Sequence, residues 1–324
     1  RKWGTFPGLS FAWNIADEKF MDFSDKWLST LKFRPSWGIT GNQPGGEYLF
    51  YSLYSAYSSY VDIPTIRPEN IQLTDLRWEK VSSFNYGIDL GFLEDSYTMD
   101  FNYYSKRTED MLFKDLRIPS TSGYGALGYQ NAGIMDNVGW ELNMNANKII
   151  RAGDFSMGVS LNFSNYVNTI IDLKQSILDS YNKDFDYSNG SYLTRIQENN
   201  SFGSIYGFRY KGVYQYSEYE PGREGTSPFA LDENGTIIRN ASGDPVRMTF
   251  AAGESSEYKF KGGDAIYEDI NHDGNINELD IVYLGNSNPL FNGGLSVKFN
   301  YKRFSANIFS NFRVGNKVVN RGRM

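Results

Sequence analysis

The chain has 324 residues and a net charge of −6, with 16% aromatics and no cysteine. The missing cysteines exclude a disulfide framework and a thiolate metal site, and the acidic balance argues against nucleic-acid binding, which needs a basic face. A mean hydropathy of −0.50, with no run of about 18 apolar residues, excludes a transmembrane helix. It does not exclude a membrane barrel, whose strands alternate apolar and polar residues.

Period-two alternation dominates the chain. A weak strand is expected over Leu9 to Ile15, and a stronger one where Leu31, Phe33, Pro35 and Trp37 alternate with Lys32, Arg34, Ser36 and Gly38. Next, Phe84, Tyr86, Ile88, Leu90 and Phe92 share one face, and Tyr97, Met99, Phe101 and Tyr103 another. Val138 to Ala146 and Met157 to Phe163 repeat the pattern, and Phe291 to Tyr301 and Phe304 to Phe309 close the series at eight strands. Such alternation over segments of roughly 10 residues is expected of membrane-spanning strands.

The connections alternate in length. Leu93 to Ser96, Ile149 to Asp154 and Lys302-Arg303 read as tight turns, and 16–29 as a moderately long turn on the same side. Residues 41–77, 106–134 and 167–288 are long, an asymmetry that in outer-membrane barrels puts the long loops outside. The pattern predicts an all-β fold, an antiparallel transmembrane β-barrel arc with long extracellular loops. A soluble β-sandwich also alternates, but strand length, aromatic strand ends (Tyr103, Tyr104, Tyr301, Phe304) and loop asymmetry favour the barrel. The chain starts at Arg1 without Met or a leader and stops at Met324 after a strand-like segment, so both ends read as cut.

Three features stand out in the loops. Tyr48, Tyr51, Tyr54, Tyr57 and Tyr60 lie in a Ser- and Gly-rich stretch that reads as loop, where aromatics can stack on sugars or pack the loops together. A small hairpin is expected through Leu116, Ile118 and Pro119, and Asn234-Gly235 and Ser242-Gly243 mark turns inside 167–288, a loop region large enough to fold as a subdomain.

The clearest chemical motif runs from Asp269 to Asp280. Asp269, Asn271, Asp273 and Asn275, closed by Asp280, have the spacing of a calcium-hand loop, with Gly274 at the sharp turn. Hard oxygen ligands favour Ca2+ over Mg2+ and imply a structural role at the end of the longest loop; a metal-free Asx turn is the competing reading. His272, the only histidine, sits at a non-ligand position. Without Cys, and with one His, no nucleophilic triad can be assembled, and no phosphate-binding Gly loop is present, so no enzyme activity is expected.

Six blocks, in one order, resemble the SusC/RagA group of TonB-dependent outer-membrane transporters from Bacteroidetes. They are Trp3 to Trp13 around Phe6-Pro7, Leu31 to Asn42, Leu76 to Lys80 with Asn85 to Asp89, Tyr103 to Leu112, Asn131 to Glu141, and Gly263 to Gly285 followed by Asn288-Pro289. The resemblance covers nearly the whole chain. It implies a barrel of about 22 strands with a plugged lumen, of which residues 1–324 supply an eight-strand portion. It also implies TonB-energised import of oligosaccharides, or else peptides, contact with outer-membrane lipid, and a SusD-like surface lipoprotein as partner; the plug and TonB-contacting segment lie outside these residues. A surface glycan-binding or adhesion β-protein without transport is the competing reading.

Overall fold

The computed structural model describes residues 3–45, 49–60, 63–116, 118–124, 126–182, 193–194, 196–220, 224–250 and 258–319. Its main feature is a nine-stranded antiparallel sheet in which the long strands neighbour one another in chain order. These are Leu28–Asn42, Glu79–Phe92, Tyr97–Glu109, Ile134–Ala152, Phe155–Asp172, Phe291–Tyr301 and Phe304–Val314. The weak strand expected near the start is broken into Gly8–Ser10 and Trp13–Asn14, both paired to Leu28–Asn42. All eight expected strands are therefore present, and the sheet is an open arc.

The strands run past their alternating stretches. Five of them, of 13 to 19 residues, are longer than the roughly 9–11 that a bilayer crossing needs, and the last two have 11. The expected turn at Ile149 to Asp154 shrinks to Gly153-Asp154, because a bulge between Ala146 and Ile150 lets the strand continue to Ala152. Lys302-Arg303 is a two-residue turn as expected. Leu93, Glu94 and Asp95 turn with positive φ of 52°, 55° and 57°. The Asp95 carboxylate accepts the Thr30 hydroxyl, and its N–H donates to the Ser29 hydroxyl.

Two loop readings change. The Tyr-rich stretch holds a hairpin of Tyr54–Tyr60 with Ile63–Pro68, whereas Tyr48 lies outside the described residues. The small hairpin pairs Leu112–Leu116 with Leu127–Asn131; Ile118 and Pro119 lie in its connection.

The chain divides into two compact units. The first contains the nine-stranded sheet and, with Ile196–Phe202, a buried cluster of Phe113, Leu116, Ala132, Ile170, Leu173 and Ile177. The second, mainly Gly203–Ser287, has a core of Tyr214, Ala230, Met248, Phe260 and Ile276 ringed by further aromatics. Its predicted turns are real. Asp232 accepts N–H groups of Asn234 and Thr236, and Asn240 accepts those of Ser242 and Asp244. Gly235 and Gly243 supply φ of 78° and 88°, the left-handed geometry that such Asx turns need.

Candidate functional site

Because side chains alternate across a strand, register decides which residues share a face. Trp37, Phe84, Tyr103 and Trp140 belong to one apolar face, as do Leu31, Leu90, Met99, Met144 and Leu161. Farther along the sheet, Leu161 faces Leu295, and Val159 faces Val297, which faces Ile308. Along this continuous apolar band Phe84, Ile88, Met144, Leu295 and Ile308 are all exposed, with no covering layer among the described residues.

The opposite face is polar. One row runs Arg34, Gly87, Asn102, Glu141, Ser164, Asn292, Arg313, and the next Lys32, Asp89, Asp100, Asn143, Asn162, Gly294, Asn311. Asp89 lies directly opposite Asp100, a like-charge pairing that is unfavourable alone. Arg34 resolves it. Its Nε and Nη2 bind the two oxygens of Asp89 at 2.6 and 2.5 Å, and Nη2 reaches Asp100 at 2.9 Å. A Cβ on Gly87 would lie 2.9 Å from the Arg34 Cζ, so the glycine leaves room for the guanidinium. Sequence reading placed these residues on the polar face but missed the network.

At the strand ends leading into the long loops, Asn131 ties three segments together. Its buried side chain accepts the Arg77 N–H at 2.7 Å and donates to the Arg77 and Asp110 carbonyls at 2.9 Å each. Lys174 Nζ donates to the Asn131 carbonyl at 3.2 Å, and Arg77 pairs with Asp110 at 3.1 Å. This polar knot adjoins the buried cluster through Ala132 and Leu173. A cavity of about 290 Å3 opens against it, lined by residues 71–77, Leu127, Tyr129, Gln130, Asn131 and Lys174.

The motif from Asp269 to Asp280 lies in the second unit. Asp269 accepts the Gly274 N–H at 2.8 Å, Asn271 the Asp273 N–H at 3.2 Å, and Asp273 the Asn275 N–H at 2.7 Å, while the Asn275 Oδ1 accepts the Thr249 hydroxyl at 3.2 Å. Asp280 is fully buried and its two oxygens accept the Ile270 and Asn277 N–H groups. It forms a capping box with Asn277 over the short helix Glu278–Asp280. Gly274 turns at φ 82°, and a Cβ there would meet the Ala230 methyl at 2.6 Å. Among the described residues, no three His, Cys, Asp or Glu side chains converge as a metal-binding group. Burial, reinforced by the Asp269 and Asp273 charges, pushes the Asp280 carboxyl above its ordinary range. Nearby, burial pushes the Tyr214 phenol up to about 12, and the Lys211 ammonium holds the Glu268 carboxyl below its ordinary range.

Comparison with known proteins gives a consistent result. A family described as TonB dependent receptor-like, beta-barrel matches residues 1–246. TonB-dependent receptor P39 of Formosa agariphila is 33% identical over 98% of this chain and 30% of its own length. TonB-dependent receptor SusC of Bacteroides thetaiotaomicron is 30% identical over 82% of this chain and 25% of its own. The solved structure of the RagAB peptide transporter overlays with a TM-score of 0.67 at 22% identity, over 96% of this chain and 29% of that one. The chain thus spans about 30% of the length of the curated relatives it matches.

Proposed function

The chain belongs to the TonB-dependent receptor-like β-barrel family, and from that premise we propose that it forms part of an outer-membrane importer of large nutrients, most of all oligosaccharides, energised through TonB. The observation that carries this reading is the two-faced sheet. A continuous exposed apolar band suits lipid, and the polar rows of Asn, Ser and paired charges suit a water-filled or protein-filled lumen. The resemblance to the SusC/RagA group, read from six blocks of sequence, is borne out by the SusC and RagAB likenesses.

The long loops face the cell exterior in this reading, where a SusD-like surface lipoprotein acts as partner. Exposed Tyr51 and Tyr54 on the 49–68 loop support a saccharide cargo, since flat aromatic faces suit sugar rings. The test is growth of a strain lacking the gene on defined neutral oligosaccharides or on peptides as sole carbon source. Loss of growth on an oligosaccharide in that strain, with uptake of the same oligosaccharide by the parent strain stopped when TonB is deleted, supports the proposal. Loss on peptides alone transfers the importer to a peptide cargo, and unimpaired growth on both rejects import.

We also propose that Asp269, Asn271, Asp273, Asn275 and Asp280 mark a structural Ca2+ site. Spacing supports it, as does the like charge that Asp269 and Asp273 set against Asp280, which a cation would relieve. Ca2+ should raise the thermal stability of the chain, and Asp273→Ala should abolish that increment; no calcium-dependent shift in the unsubstituted protein rejects the site.

A further inference from the structure

Resting on the importer reading, we infer that the cavity beside Asn131 is a subsite for one neutral sugar unit of the cargo. Its volume of about 290 Å3 lies at the lower end for small-molecule sites and suits one ring rather than a long segment. It belongs wholly to the first compact unit.

The lining chemistry is specific. Gln72, Thr74, Asp75, Tyr129 and Gln130 line the cavity, and among the described residues their side chains have no hydrogen-bond or ion-pair partner. Two amides, an aliphatic hydroxyl, a phenol and one carboxylate together offer both donors and acceptors. That mixture answers the vicinal hydroxyls of a sugar, each of which both gives and accepts a hydrogen bond. The charges of the lining balance: Arg77 is paired with Asp110, and one further cation, Lys174, and one further acid, Asp75, line the cavity. A strongly anionic or cationic ligand would leave one of them opposed by a like charge.

The wall is also fixed before any ligand arrives. Asn131, the last residue of the hairpin strand Leu127–Asn131, ties that strand to the backbone of Arg77. The Leu73 N–H donates to the Leu49 carbonyl at 3.2 Å, holding the opposite segment. The backbone of the wall is therefore held before any ligand arrives, and the ordering cost of binding falls on the lining side chains alone.

The experiment is isothermal titration of the full chain in detergent micelles with maltohexaose, cellohexaose and laminarihexaose, and in parallel with a tryptic digest of casein. Variants are Asp75→Ala and Gln130→Ala, with exposed Lys80→Ala as control and the melting temperature of each as a check on folding. The expected result is that at least one hexasaccharide binds, that each cavity variant weakens it by about tenfold through lost hydrogen bonds, and that Lys80→Ala and the melting temperatures do not change. Hexasaccharide binding untouched by both cavity variants overturns the subsite and leaves the oligosaccharide importer standing. Binding of the peptide digest with no hexasaccharide binding overturns both. Binding of neither overturns the subsite.

Discussion

Replacing Arg34 by Met tests whether the polar face is held by charge pairing. The substitution keeps an unbranched stem of similar reach and removes the guanidinium. Three contacts disappear: two to Asp89 at 2.6 and 2.5 Å and one to Asp100 at 2.9 Å. Each would be worth about 1.5–3 kcal/mol if buried, but the three side chains are 28–36% exposed, which brings each toward the surface scale of about 0.2–1 kcal/mol. Asp89 and Asp100 then face each other in register with no cation between them, which adds roughly 1 kcal/mol of repulsion. The sum is a loss of about 2 kcal/mol. Urea unfolding of the full chain in detergent micelles should show a lower midpoint with unchanged slope. Adding Asp100→Asn should recover about half the loss, and high salt should shrink it by screening the carboxylates. An Arg34→Met midpoint equal to the parent's, or no recovery in the double variant, would refute the reasoning.

Three further outcomes are expected. Asn131→Ala removes one acceptor and two donors from backbone groups of Arg77 and Asp110 and should cost about 2–3 kcal/mol; hydrogen exchange at the Arg77 amide should accelerate while amides at mid-strand, such as Leu142, stay protected. Asp280 has a folded pKa raised above its unfolded one, so its contribution favours the fold at low pH and is lost as pH rises through the folded value. Amide protection at Ile270 and Asn277, corrected for intrinsic exchange, should therefore fall over that rise, and Asp280→Asn should flatten the profile. Glu94→Gly relieves a left-handed residue at φ 55° and should raise stability by on the order of 0.5 kcal/mol, strain relief being partly offset by glycine's chain entropy; a lower urea midpoint would count against strain at that turn.

The membrane arc was legible because alternation reports directly on two solvents. Where a strand leaves the bilayer, that report stops. Ser82-Ser83 and Ser105-Lys106-Arg107 lie in strands whose ends were read short for this reason. The Ala146 to Ile150 bulge shifts the phase of the pattern and made Ile149 to Ala152 look like turn. The tyrosines of 48–60 read as loop because a spacing of three has no meaning in a strand; the hairpin is set by pairing of Tyr54–Tyr60 with Ile63–Pro68, a partner that propensity alone does not reveal. Asp280 had a signal that the calcium pattern masked. Asn277-Glu278-Leu279-Asp280 also reads as a capping box, and the buried carboxyl serves that role in the fold. The Arg34 network had no such signal. It depends on Asp89 and Asp100 standing in register, and a chain read in one dimension contains both acids without their alignment.

The same distinction separates what each part of the molecule tolerates. The apolar band asks only for bulk on one face, so exchanging Leu295 for Ile, or Phe101 for Leu, keeps its chemistry. The loop base asks for a particular shape. Asn131 must present one acceptor to the Arg77 N–H and two donors to the Arg77 and Asp110 carbonyls from a short stem. Asp supplies the acceptor and sets a charge against both carbonyls. Gln carries the right groups one methylene too far, and Ser cannot donate twice. Loops that are mostly irregular thus gain a rigid floor from a single amide, and the Gln130 and Tyr129 side chains are carried on the strand that this amide anchors. A cavity of fixed shape among long loops follows from that one residue type at that one position, more than from any regular element around it.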